Sequence, residues 1–121
     1  MRGSASLVVE QTDTAASMKS GDVDVLGTPR LIALCEEATM TALTGALDED
    51  LCSIGMRIRV DHLQPTPVGA SVTADAVLDK IDGRRLTFTV SVSDSGGLVA
   101  AGKITRAVVD RSRFLDKCCS A

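Results

Sequence analysis

Thr28, Glu36, Gly55, His62 and Arg106 are the residues whose types and spacing carry chemistry. Glu36 lies in "GTPRLIALCEEATMTALTGAL", residues 27–47, where Glu36 and Glu37 are the only charges after Arg30. On a helix its neighbours are Ile32, Thr39, Met40 and Leu43, so its carboxylate sits among largely apolar groups. Burying an ionised carboxylate there is costly unless it is paired or protonated. His62 is the only histidine, and strand alternation places it on the face of Ile54, Met56, Ile58 and Val60. Its imidazole is the side chain that changes charge near neutral pH, which suits it to moving protons. Arg106 shares parity with Leu98, Ala100 and Ile104, and an inward arginine implies a paired anion or a bound ligand. Gly55 weakens a strand interior and so marks a bulge or a close backbone approach. Thr28 precedes Pro29 at a helix start, with a hydroxyl placed to cap the helix or to act.

Each residue also has a plainer reading. Glu36 can be solvated at a helix edge, and His62 can be a core histidine with its hydrogen bonds met. Arg106 can reach solvent from a strand end, and Thr28 can be an ordinary N-cap. Their convergence on one apolar interior favours a site that handles protons and anions.

The elements that must position these residues follow from periodicity. "SLVVEQTD", residues 6–13, makes a first strand, and a helix runs from about Pro29 to Thr44, ending near Gly45. "SIGMRIRVDHLQ" alternates, with Arg57, Arg59 and Asp61 on the face opposite His62. In "SVTADAVLDKI", Val72, Ala74, Ala76 and Leu78 share one side, and Asp82-Gly83 signals a hairpin. "RLTFTVSVSD" puts Leu86, Phe88, Val90 and Val92 on one face and Thr87, Thr89, Ser91 and Ser93 on the other. "LVAAGKITRAVVD" is a last strand, with Leu98, Ala100, Ile104, Arg106 and Val108 in register, and "RSRFLDKCCSA" is a loose tail. The order β, α, β, β, β, β with hairpin turns implies an antiparallel sheet. A helix this apolar must lie on the apolar face of that sheet, wrapped by it, and must face a second subunit as well.

Composition excludes several function classes. The chain has 121 residues, enough for one domain and too few for two. With a net charge of −3 and 2% aromatics it lacks the cationic footprint and stacking rings of a nucleic-acid reader. No apolar run approaches the roughly 18 residues of a membrane span. "MRGSASLVVEQ" holds no signal-peptide core, so a cytoplasmic protein is expected. The cysteines Cys35, Cys52, Cys118 and Cys119 have no zinc spacing, and one histidine with scattered acids makes no metal cluster. The terminal "CCSA" lacks the aliphatic middle positions of a prenylation box.

The Thr28, Glu36, His62 spacing, together with "VDHLQPTPVGASV", "DGRRLTFTVSV" and "ITRAVVD", resembles the fluoroacetyl-CoA thioesterase-like branch of hot-dog-fold acyl-CoA thioesterases. The likeness covers roughly residues 5–114. It implies an α+β hot-dog fold: one long central helix wrapped by a curved five-stranded antiparallel sheet. The chain is then a single domain over 1–121, with a core of about 5–114 and a loose tail over 111–121. The resemblance further implies that Thr28, Glu36 and His62 stand where that branch keeps its catalytic triad, and that Gly55 and Arg106 line the acyl pocket. It implies a homodimer, which can stack into a tetramer, with sites at the subunit interface. No cofactor is implied, because coenzyme A enters as part of the substrate. One segment departs: "MKSGDVDVLG", residues 18–27, has none of the phenylalanines of the fluoroacetyl-specific lid, so another acyl group is expected.

In the chemistry this implies, Glu36 attacks the thioester carbonyl or activates water, and His62 delivers a proton to the coenzyme A thiolate. Thr28 donates a hydrogen bond or is the alternative nucleophile. Backbone N–H groups near a helix start, with Gly55, polarise the carbonyl. Eight residues of helix span roughly 12 Å, so Thr28 and Glu36 of one chain do not meet, and the full constellation draws on two chains. Three rivals stand beside this reading. They are a non-catalytic acyl-CoA or small-molecule binding module, an acyl-CoA hydratase or dehydratase, and a purely structural dimer.

Overall fold

The computed structural model describes residues 1–119. Five strands form one antiparallel sheet: β1 (Arg2–Val8), β2 (Leu51–His62), β3 (Ser71–Asp82), β4 (Arg85–Asp94) and β5 (Gly97–Asp110). Their order across the sheet is β1-β3-β4-β5-β2. The long helix α1 (Thr28–Ala42) lies on the concave face, and a second helix, α2 (Arg111–Cys119), follows β5 directly.

The core joins α1 to the alternating strands. Leu31, Leu34, Cys35, Ala38 and Ala42 recur at helical spacing and are buried. They meet Val72, Ala74 and Ala76 of β3, Phe88, Val90 and Val92 of β4, and Ala100 and Ile104 of β5. Full burial of one such Leu or Phe is worth about 1.5–3 kcal/mol, so this layer supplies most of what holds α1 in place. The approach is closest at β1. A Cβ on Gly3 would lie 2.3 Å from the Ala42 backbone nitrogen, so any side chain there would push β1 off the helix. The convex face is polar. Ser6 bonds Thr73 at 2.9 Å, and Lys103 bridges to Asp79 at 3.1 Å.

Several boundaries differ from the sequence reading, each for a local reason. The first strand is Arg2–Val8 and not 6–13, because the Asp13 carboxylate accepts the Glu10 N–H at 2.8 Å and turns the chain. Helix α1 begins one residue earlier than Pro29: Gly27 occupies the N-cap, and Thr28 is already helical. Thr28 is therefore not an N-cap. The expected loose tail is helical over Arg111–Cys119, because Asp110 accepts the Arg113 N–H at 3.0 Å and starts a new turn. Ser120 and Ala121, the rest of that tail, lie outside the described residues.

Of the three register shifts in the sheet, those in β2 and β5 reset the inward faces near the site. A register shift between Gly55 and Arg57 brings Ser53 and Gly55 to the concave face on one side, and Ile58, Val60 and His62 on the other. Ile54 therefore leaves the face assigned to it, and Met56 falls in the bulge itself. A second shift opposite Val92 and Ser93 buries Val99 and leaves Leu98 half exposed, so Leu98 is not in register with Ala100 and Arg106.

Candidate active site

Two clusters form along α1 and the edge strand β2. The first lies where both elements end. Thr28 opens α1, and its neighbour Gly27 is tied back by donating to the Asp13 carbonyl at 2.8 Å. His62 closes β2, where Leu63 donates to the Val99 carbonyl at 2.8 Å and fixes the chain beyond it. Thr28 Oγ1 and His62 Nδ1 then stand 2.9 Å apart. Burial pushes the His62 pKa below its usual 6.5, and a hydrogen bond with the Gln64 backbone opposes this only in part. The imidazole is thus neutral at pH 7. The Thr28 hydroxyl and Nδ1 share this hydrogen bond, and the imidazole tautomer decides which of them donates. Nε2 is buried and has no partner among the described residues. A cavity of about 310 Å³ opens beside the pair, lined by Val23, Val25, Leu63 and Gln64 among others.

The second cluster lies two turns further along α1. Arg106 on β5 pairs across the sheet with Gly55 on β2, and both face inward. Arg106 Nη1 reaches Glu36 Oε2 at 3.5 Å, with Arg106 6% exposed and the Glu36 side chain 34% exposed. Gly55 has no side chain because the carboxylate occupies that space: a Cβ there would lie 2.5 Å from Glu36 Oε2. Burial lowers the pKa of the Arg106 guanidinium, and the Glu36 charge opposes that. The paired charge explains how an apolar helix retains this acid. Cys35, next along the helix, is an inert thiol, pushed up to about 11 by burial and by Glu36.

The five residues singled out from the sequence therefore fall into a pair, Thr28 with His62, and a trio, Glu36 with Gly55 and Arg106. Neither Thr28 nor His62 is a hydrogen-bond partner of Glu36 within the chain. Sequence reasoning missed Ser53, which accepts from Arg106 Nε at 2.8 Å on its hydroxyl and from Nη2 at 3.0 Å on its carbonyl. The signal was present: Ser53 shares Gly55's parity, two residues before the suspected bulge. Among the described residues no group of three or more His, Cys, Asp or Glu is placed to hold a metal ion. No helix among them is long and apolar enough to cross a membrane.

One helix wrapped by a five-stranded antiparallel sheet is the hot-dog fold. A hot-dog-like protein from Thermanaerovibrio acidaminovorans shares it at TM-score 0.90 and 22% identity, over 99% of this chain and 89% of that one. The chain belongs to the fluoroacetyl-CoA-specific thioesterase family, FlK, whose model matches residues 9–112. It is 34% identical over 91 residues to the fluoroacetyl-CoA thioesterase of Streptantibioticus cattleyicolor. That match takes in 75% of this chain and 66% of the relative, just under two thirds of its length. The solved structure of the fluoroacetyl-CoA thioesterase FlK superposes at TM-score 0.92 with 29% identity, covering 99% of this chain and 93% of that one.

Proposed function

We propose that this protein hydrolyses a small acyl-CoA thioester to the free acid and coenzyme A, with Thr28, Glu36 and His62 as catalytic residues. The observation that carries the proposal is the carboxylate of Glu36, held by a buried arginine over the side-chain-free Gly55 on an otherwise apolar helix. Such an anion is built to act on an electrophile rather than to stabilise the fold. It attacks the thioester carbonyl directly, giving a mixed anhydride that water then opens, or it orients a water that attacks, and in either route the water's proton passes to the neutral His62. The C–S bond breaks, and His62 passes that proton on to the leaving thiolate. Thr28 holds the imidazole through Nδ1. The reaction needs no metal and no resident cofactor, since coenzyme A arrives as part of the substrate.

The site is completed by a second copy of the chain. The separation of Glu36 from the Thr28–His62 pair supports this, because one chain does not bring the three groups to one carbonyl. Strand β2 also presents an unpaired edge, and Met40, Met56 and Ile58 beside it are 49%, 43% and 41% exposed. The lid segment 18–27 offers Met18, Val23 and Val25 and no aromatic ring. Its small aliphatic lining suits a short acyl group without the fluoroacetyl preference of the relatives. A cytoplasmic setting fits the buried free thiol of Cys35.

A panel of acyl-CoA thioesters of increasing length, read by a thiol-detecting dye, tests the proposal. Thiol release that disappears in Glu36→Gln and His62→Asn is the expected result. Release that survives both changes, or an enoyl absorbance change without free thiol, overturns it. Binding of acyl-CoA without turnover would instead favour a binding module. Arg106 weakens that alternative, because its guanidinium is already engaged by Ser53 and Glu36.

A further inference from the structure

Ser53 engages two of the three nitrogens of the Arg106 guanidinium. Its hydroxyl accepts from Nε at 2.8 Å, and its carbonyl accepts from Nη2 at 3.0 Å. The remaining group, Nη1, faces Glu36 Oε2 at the longer distance of 3.5 Å. Ser53 is 9% exposed and Arg106 6%, so water does not compete for these bonds. A guanidinium is planar and rigid, and fixing two of its edges fixes the direction of the third. The Ser53 hydroxyl hydrogen is directed at Met40 Sδ, 3.6 Å away, so the oxygen keeps its lone pairs for Arg106. The bulge after Gly55 makes this possible. It lets Ser53 and Gly55 share the inward face with Ile58, Val60 and His62, one aiming the arginine and the other leaving room for the carboxylate.

We infer that Ser53 is a positioning residue for the hydrolysis. It aims Arg106, and through Arg106 it sets the Glu36 carboxylate over Gly55. The inference rests on the proposed role of Glu36 in thioester cleavage. Ser53 touches no substrate, and Arg106, while lining the acyl pocket, also clamps Glu36.

Steady-state thiol release from the best acyl-CoA of the panel, with thermal melting in parallel, tests it. Ser53→Ala is expected to lower kcat about tenfold, the scale of one hydrogen bond to a charged group, with KM within about twofold. Ser53→Cys, close in size but a weak acceptor, should lower kcat in the same direction, and it serves if the alanine variant does not fold. Ser53→Thr, which retains the hydroxyl, should restore kcat to within about threefold of the starting enzyme. In an Arg106→Lys background, which keeps the charge but loses the fork, Ser53→Ala should cost less than about twofold more. The inference is overturned if Ser53→Ala and Ser53→Cys keep full kcat. It is equally overturned if the alanine loss is undiminished in the Arg106→Lys background, the mark of a merely structural role. Glu36→Gln separates the two levels. If it is fully active the reading of Glu36 fails, and if it is inactive while Ser53→Ala is normal only Ser53 is misassigned.

Discussion

The Thr28–His62 pair and the Glu36–Arg106 cluster share one helix and one strand, yet they are held by different means. Thr28 and His62 sit at the ends of their elements, joined by one neutral hydrogen bond of 2.9 Å beside an open cavity. Glu36 sits mid-helix, against a buried arginine that β5 delivers from 70 residues away and that Ser53 ties down. One half depends on a tautomer and on short-range capping. The other depends on charge compensation in a poorly solvated interior. The difference teaches that the proton-handling half can adapt, whereas the carboxylate half must be built in advance.

That contrast can be broken at several points. Glu36→Gln keeps the shape and removes the charge, so kcat for thiol release should fall about a thousandfold or more, with melting temperature little changed. A residual rate within tenfold of the starting enzyme would show that the second cluster is structural. Thr28→Val removes the hydroxyl that orients His62, and a loss of about a hundredfold in kcat/KM is expected. If Thr28→Val matched Glu36→Gln in severity, the hydroxyl would be a nucleophile and not an orienter.

Gly55→Ala sets a methyl 2.5 Å from Glu36 Oε2, at the mobile end of the side chain. The carboxylate is displaced rather than the backbone, so kcat should drop about tenfold while the melting temperature holds. A large melting shift with normal turnover would instead place the strain in β2. The smallest effect is the pH profile. His62 has its pKa below 6.5, so the neutral imidazole persists below the usual pH. The acid limb of kcat/KM should therefore have its midpoint below 6.5. Between the folded and unfolded pKa values the unfolded chain binds more protons, so stability falls as pH drops through that window. A midpoint at or above 6.5 would contradict the buried, neutral histidine.

Much of this was legible from residue types. The alternation in 71–81 and 85–94 placed Val72, Ala74, Ala76, Phe88, Val90 and Val92 in the core, where the structure has them. The odd glycine at 55 flagged a bulge that is present. Ile54 and Leu98 fell on the wrong face, and Ser53 was missed, because a bulge adds one residue to one strand and simple parity does not register it. The tail was misread because Asp110 acts as a helix cap only once β5 ends there.

The sequence by itself determined the period of each element, the apolar faces, and the presence of an acid, a histidine, a hydroxyl, a glycine and an arginine at core-like positions. Side-chain period is a local property of the backbone, so those features need no partner to be read. Tertiary structure alone decided that Thr28 meets His62 while Glu36 meets Arg106, and that Ser53 aims the arginine. Those choices depend on strand register and on two bulges, which are set by hydrogen bonding between segments far apart in the chain.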